Sequence, residues 1–530
     1  MKRILALILA LCCVAALCGC SGEDGEQPGT DNSGEGTAAG ENYISIAYSS
    51  TDSFNPYTAK NSLNRELATL LFDPLYKVDE SFNPVNVLAE SGEISGTTCR
   101  ITIKKATFSD GSAVTAADVV YSFNAAKKNS SKYAAQLATV TSAKAENDTT
   151  VVFSCGKADA YILNLLTFPI IKSGSDELKN EDNVSLPPIG CGRYILNIEQ
   201  TALLKNAGWH GGEVEINEIR LVNAPDEESL SHSVEIGAVD MYYTDLSDCN
   251  ILRMSGNRFN VTLNNLVYVG VNLQSNLLKN TYMRQAISAA LNREKICETA
   301  YFTNAVPATG VFNPVWEPVK TIQSIQSSSN NEIAIENLKK IGYNDKSSAG
   351  YFVNANGNEI SVRLLVNEEN SFRNNAAELI VSQLASVGIK VILESAPYEN
   401  YLQRLQEGQF DLYLAEVNIL DNMDVSALLC EGGSVAYGIK YERDENTADE
   451  NDASDTDKTE APVATLQQVV EGFYSGQNNV ADIAAMAISE MPIIPVCYRT
   501  GILFCSSKIG TEVDCYSSDI FYSVDKLTIN

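Results

Sequence analysis

The chain has 530 residues, 45% of them hydrophobic, which is ample for a large core and predicts two to four folding units. Its 67 Asp and Glu against 38 Lys and Arg give a formal net charge of -29. A surface of that sign repels phosphate backbones and anionic lipid, so no nucleic-acid partner is expected and the acidity reads first as solubility.

Met1, Lys2 and Arg3 are followed by an apolar run over residues 4–17. That is the length of a secretion signal and short for a bilayer span. The run ends in Leu17-Cys18-Gly19-Cys20, which resembles the bacterial lipobox. In lipoproteins the sulfur of that cysteine carries a diacylglycerol and the residue becomes the new N-terminus. Cys20 is therefore the predicted lipidation site, holding the protein at the outer face of the cytoplasmic membrane, where two acyl chains give stable anchoring. Residues 21–41 are Gly, Ser, Asp, Glu, Thr and Ala with almost no apolar content, the composition of a flexible tether. No later apolar run reaches spanning length, so the exported body is expected to be water-soluble.

Folded sequence begins near Asn42. Residues 44–50 alternate like a strand, residues 67–75 read as a helix running into an extended segment, and residues 99–105 alternate cleanly. Residues 106–126 are the most informative stretch. Asp110-Gly111 marks a tight turn. Thr115 followed by Asp118 fits a capping box, and Val119, Val120 and Phe123 continue as a helical stripe. Residues 186–198 form a Gly-rich turn into a strand, and residues 266–276 read as a buried strand. Residues 281–301 predict one amphipathic helix, with Ile287, Ala290, Leu291 and Ile296 along one side. A second helix over 333–343 stops at Gly342. A strand over 360–366, a helix over 376–387 and a strand over 389–394 give the βαβ order of α/β units. Residues 442–460 are densely charged without large apolar residues, the pattern of an exposed disordered insertion. Without a glycine at its bend this run does not suit a calcium loop. Residues 491–504 return to buried strand character.

Nine cysteines beyond Cys20 form no CxxC pair and no zinc-like spacing. They read as small buried apolar residues, with a bridge between Cys497 and Cys505 across a hairpin as the minority alternative. His210 and His232 are the only histidines and are not at ligand spacing, so neither a metal nor a cofactor is expected.

Five phrases, in order along the chain, carry a family resemblance. FSDGSAVTAADVVYSF (residues 108–123) is similar to a signature of the extracellular solute-binding proteins of family 5, the oligopeptide-, dipeptide- and nickel-binding receptors of ABC importers. IGCGRY (189–194) resembles that family's Gly-Thr-Gly-Pro-Tyr phrase, with Cys191 and Arg193 departing. IGAVDMYY (236–243), MRQAISAALNREKI (283–296) and EMPIIPV (490–496) resemble three more. The resemblance implies an α/β, two-lobed, periplasmic-binding-protein-like type II fold with an extra subdomain. It places lobe one at 42–75, 175–264 and 485–530, the extra subdomain at 76–174, and lobe two at 265–484.

The function it implies is capture of an oligopeptide or similar small solute by a lipid-anchored monomer, not an enzyme, that delivers it to an ABC permease in the membrane. In peptide-binding relatives the end of the first strand pairs with the ligand backbone, which corresponds to Tyr48, Ser49 and Ser50. An acidic residue anchors the ligand ammonium, and Asp421 and Asp424 are the candidates. The family's usual tryptophan is missing nearby, where Val417 and Asn418 stand, and Tyr437 after Gly432-Gly433 is a further candidate for the pocket. Loop capping or solvation is the competing role for each carboxylate. Arg284 and Arg293, on the predicted helix, read as surface or interlobe ion-pair partners rather than anion anchors. An exported hydrolase finds no support, since no GxSxG, HExxH or Cys/His pairing is present. A peptide-binding surface sensor or chaperone, and a nickel or metallophore receptor, stay open as alternatives.

Overall fold

A computed structural model describes residues 42–441 and 464–530, apart from 253, 324 and 511. Cys20, the tether and the acidic insertion at 442–460 lie outside the described residues.

Two long antiparallel strands, Asn257–Val271 and Ile493–Cys505, organise the fold. The second is buried at every position, which explains its unbroken apolar run: a strand covered on both faces needs no polar alternation. On one side of their midpoint they carry the sheet of lobe one. Met241–Thr244 pairs with the second crossing strand, and Tyr43–Tyr48, Glu218–Asn223, Ala202–Lys205 and Tyr194–Leu196 follow in order. On the other side Leu412–Asn418 pairs with the first crossing strand, followed by Ser361–Asn367 and Lys390–Ala396, while Ala305–Pro307 pairs with the second. These strands form lobe two.

The ladder between the crossing strands breaks at their middle. Thr262 pairs with Thr500 and Leu266 with Tyr498, so residues 263–265 stand opposite Arg499 alone. Extra residues of this kind bend a strand and release it from its ladder. Arg499 holds the place together: its guanidinium lies 2.7 Å from Glu416 of lobe two and donates to the Asp245 carbonyl of lobe one. The second crossing strand pairs with Ala305–Pro307 through residues 497–499 and with Met241–Thr244 through residues 502–505. Val480, Ile483, Ala487 and Ile493 are buried in one continuous hydrophobic cluster with Val267, Leu364 and Leu412.

The extra subdomain is a four-stranded antiparallel sheet in the order Ala89–Ser95, Thr98–Ile103, Thr150–Cys155, Val140–Asn147. The helix Ala116–Ala126 packs on it through Phe123, whose ring lies 5.7 Å from that of Phe153. Thr115 and Asp118 form the predicted capping box, and Asp118 also accepts from Ser173 N at 2.9 Å. The best-matched sequence phrase is therefore scaffolding that pins this helix to the returning chain.

Several local expectations change. The helix predicted over 281–301 is two helices, Thr281–Ala290 and Arg293–Thr299. Leu291 is extended, and Asn292 caps the second helix by accepting from Lys295 N at 2.8 Å. Arg284 and Arg293 are 6% and 1% exposed, so they are not surface residues, and neither has an ion pair among the described residues. Arg284 donates to the carbonyls of Leu278, Lys279, Glu490 and Met491, and Arg293 to those of Ser288, Gln326 and Pro495. Burial pushes both guanidinium pKa values down to about 10. Cys497 and Cys505 stand eight positions apart on one extended strand, so no hairpin joins them, and both are free thiols.

Gly190 and Gly192, in the phrase IGCGRY, let that turn lie against the end of the helix Ser62–Leu71. A Cβ at Gly190 would sit 2.1 Å from the Leu71 carbonyl oxygen. The contact brings Arg193 inward, where its guanidinium meets Asp519 at 2.8 Å and the Phe521 carbonyl at 2.9 Å. Lys77 reaches the same Asp519 oxygen at 2.6 Å.

Candidate functional site

A cavity of about 260 Å³ opens where the hinge, both lobes and the extra subdomain meet. Lobe one contributes Glu66 and Thr69 from the helix Ser62–Leu71, whose Asn61 cap accepts from Leu63 N at 2.9 Å. The extra subdomain contributes Lys132, Tyr133, Gln136 and Asn164. Leu263 and Asn264 line it from the hinge, and Asn418, Leu420 and Asp421 from lobe two. A second cavity, of about 410 Å³, shares Glu66 and lies at the strand ends of lobe one, with Asp226, Glu227, Asp245 and Asp248 on its wall.

The lobe-two wall is a loop held at nearly every residue. The Asp421 carbonyl accepts from Asn164 Nδ2 at 2.8 Å, and Asn422 Nδ2 donates to Asp159 of the extra subdomain at 2.8 Å. Met423 takes a left-handed backbone (φ 61°) with its carbonyl bound by the Tyr474 hydroxyl at 2.9 Å. Asp424 pairs with Lys157 at 3.0 Å. The Asp421 carboxylate is the exception, because it has no hydrogen-bond or ion-pair partner among the described residues. Burial without compensation raises its pKa to about 7.

Glu66, half-buried, and Lys132, exposed, line the same cavity. Burial raises the Glu66 pKa above the usual carboxylate value, with Lys132 the main opposing influence. Crowding by protein disfavours the Lys132 ammonium, yet Tyr133 and Glu66 outweigh this and raise its pKa. Neither residue has an opposite charge within ion-pair distance among the described residues. Lys77 also lines the cavity, but Asp519 already holds it. The cavity therefore presents two carboxylates and one ammonium, with polar amides between them. Desolvated, unpaired ionisable groups in a cleft mark a site that a ligand completes.

Of the residues singled out in the sequence, Asn418 and Asp421 line this cavity. Tyr48, Ser49 and Ser50 do not, and their backbone is already engaged. The Tyr48 carbonyl accepts from Ala224 N at 2.7 Å, Ser49 N donates to Asn64 Oδ1 at 2.8 Å, and Ser50 N donates to Asn223 Oδ1 at 3.0 Å. The Tyr48 ring stacks on Phe54. Asp424 is committed to Lys157 and Ser426, and Tyr437 packs edge-on against Tyr413 in lobe two. Glu66, Lys132, Asn164 and Asn264 carried no sequence signal: Lys132 stands in a polar loop and Glu66 on an ordinary amphipathic helix. Among the described residues no group of three His, Cys, Asp or Glu side chains is placed to hold a metal ion, and no helix is long and apolar enough to cross a membrane.

Residues 83–432 match the family described as bacterial extracellular solute-binding proteins, family 5 Middle. The chain is 24% identical over 383 residues to the oligopeptide-binding protein AppA of Bacillus subtilis, covering 68% of this chain and 69% of that one. It is 24% identical over 369 residues to the glutathione-binding protein GsiB of Escherichia coli, covering 66% and 69%. Matched peptide-binding proteins of Brucella are covered over about half their length, 52%. Among solved structures, the nickel ABC transporter structure from Bacillus halodurans superposes with a TM-score of 0.72 at 15% identity, covering 92% of this chain and 99% of that one.

Proposed function

Because the chain belongs to the bacterial extracellular solute-binding proteins of family 5, we propose that it is the capture receptor of an ABC importer. It takes a peptide or similar small solute into the interlobe cavity and presents the closed form to a membrane permease. The observation that carries this reading is that Glu66 from lobe one and Asp421 from lobe two line one cavity, neither in an ion pair among the described residues. A ligand ammonium there supplies the missing charge to both walls at once.

That arrangement converts binding into shape. A ligand touching both walls has contacts in the closed form that the open form lacks, and only this difference shifts the population. Turning a mostly open population into a mostly closed one takes about 5 kcal/mol of differential affinity. Closure also expels water, which strengthens each charge pairing in the cavity. The hinge is the break at residues 263–265, bridged by Arg499.

In this reading the receptor is a monomer with no catalytic role. Cys20 carries the lipid, and residues 21–41 tether the receptor above the bilayer, close to the permease. Mass spectrometry of the N-terminal fragment from membrane-extracted protein tests the anchor, with a diacylglyceryl Cys20 expected. Native mass spectrometry of protein purified from its own host tests the receptor role. A bound peptide or small solute is expected, released on denaturation, and protein that binds no member of a peptide library after stripping and refolding contradicts it.

A further inference from the structure

A third cavity, of about 200 Å³, lies away from the cleft. Its lining residues belong to the extra subdomain (77–104) or to lobe one (193–211 and 514–526). The chain as a whole has 67 Asp and Glu against 38 Lys and Arg. This wall reverses the balance, with Lys77, Lys104, Arg193 and Lys526 against Asp514 and Asp525. Asp519 holds Lys77 at 2.6 Å and Arg193 at 2.8 Å, and Asp525 lies 3.7 Å from the Arg193 guanidinium. Lys104, half-buried, and Lys526, exposed, have no ion-pair partner among the described residues.

Two buried nitrogens of this wall lack a partner among the described residues. Arg193 is 1% exposed. Its Nη atoms donate to the carbonyls of Thr69, Phe521 and Tyr522 and to Asp519, while its Nε–H finds no acceptor. The His210 side chain is 7% exposed, and its Nδ1 is unpartnered. Burial opposes the charge on Asp73, but the bonds from His210 and Trp209 and the charge of Lys77 outweigh it and lower its pKa. That carboxylate therefore accepts from His210 Nε2 at 2.8 Å and from Trp209 Nε1 at 2.7 Å, which leaves Nδ1 as the free atom of the ring. A buried donor without an acceptor is costly, and an oxygen ligand removes that cost.

A ligand for this wall brings oxygen acceptors to Arg193 Nε–H and to two free ammonium groups. It also brings an oxygen that meets His210 Nδ1, giving a proton to the neutral ring or accepting one from the charged ring. Inorganic phosphate does all of this, because at neutral pH it has both bare oxygens and a hydroxyl. Sulfate has no hydroxyl, and a phosphate monoester, with a second pKa of about 6, has lost its own. Asp514 and Asp525 oppose an anion, so charge alone does not select the ligand and the hydrogen-bonding pattern does. We infer that this cavity is an inorganic phosphate site, separate from the interlobe cleft, with Arg193, His210, Lys104 and Lys526 as its contacts. Lys104 belongs to the extra subdomain and the other three to lobe one. A bound phosphate thus ties these two parts together and stabilises the fold as it fills.

The test uses the exported chain at pH 7.5 in a phosphate-free buffer. Inorganic phosphate, sulfate and glycerol 3-phosphate are titrated in turn, with binding read by calorimetry and by thermal melts. Inorganic phosphate is expected to bind once per chain, about tenfold or more tighter than the other two, and to raise the melting temperature with its concentration. The double variant Lys104→Gln, Lys526→Gln should weaken phosphate about tenfold or more, the loss of charge-assisted contacts. No phosphate binding at millimolar concentration overturns the site. Sulfate or the monoester binding as tightly as phosphate overturns the ligand class. A double variant that binds phosphate as tightly as the wild type puts the anion elsewhere and overturns the assignment. Should the variant not fold, protection of Lys104 from acetylation by phosphate on the wild-type chain decides the location, and its absence overturns it.

Discussion

Lys77, Arg193 and Asp519 on one hand, and Glu66, Lys132 and Asp421 on the other, are two sets of three charges used in opposite ways, and Lys77 of the first set lines the same cavity as the second. In the first set each cation finds the Asp519 carboxylate, at 2.6 Å for Lys77 and 2.8 Å for Arg193. Burial alone would raise the Asp519 pKa, and the two cations outweigh it and hold it below the ordinary value. In the second set burial raises both carboxylates, and among the described residues neither has an opposite charge within ion-pair distance. The first arrangement joins the strand Tyr76–Val78, the turn after Gly190 and the C-terminal segment into one scaffold. The second leaves a desolvation cost standing until a ligand arrives. Charge at depth thus marks structure where it is paired and a binding site where it is not.

The contrast breaks most visibly at Asp519. Asp519→Asn strands two buried cations and should cost roughly 3–5 kcal/mol of stability, read from the urea midpoint. Next comes the hinge. Arg499 and Glu416 are 5% and 14% exposed, so Arg499→Met leaves a largely buried carboxylate and should cost about 3 kcal/mol.

At Asp421 the sign reverses. The carboxyl ionises near pH 4 in the unfolded chain and near 7 in the folded one, so between these values the folded state holds the proton. Ligand-free stability from this group is fully present below about pH 4 and is lost as pH rises to about 7. Asp421→Asn should therefore stabilise the ligand-free protein by about 2 kcal/mol at pH 8, after allowance for partial solvation, with no gain at pH 4. Thermal melts at the two pH values check this. The smallest effect belongs to Lys132→Gln, which removes an exposed charge with no ion-pair partner among the described residues and should change stability by no more than about 0.5 kcal/mol.

How much of this was legible in the sequence depends on how local the cause is. The strand, turn and helix around residues 98–126 could be read because Gly111 and the Thr115–Asp118 capping box act over a few positions. The single helix expected over 281–301 failed because its apolar stripe continues unbroken through Leu291. What ends the first helix is a cap by Asn292 and the attraction of Arg293 to distant carbonyls. Asp421 and Asn418 were reachable through the family resemblance. Tyr48, Ser49 and Ser50 followed from the same source, and their backbone bonds to Ala224, Asn64 and Asn223 involve partners that come together only in the folded chain. Glu66 and Lys132 were invisible for a different reason. Their meaning lies in the missing partner, and a missing partner is a property of three dimensions.

The central claim is that the cleft carboxylates wait for a cation, and proton exchange on binding tests it most directly. Calorimetric titration with a binding tripeptide at pH 6.5, repeated in buffers of different ionisation heat, gives the number of protons released. The account predicts release approaching about one proton, as the ligand ammonium draws Asp421 into its ionised form, and no release from Asp421→Asn. Tight binding with no proton exchange at any pH from about 5.5 to 7.5, the window around the raised Asp421 value, contradicts it.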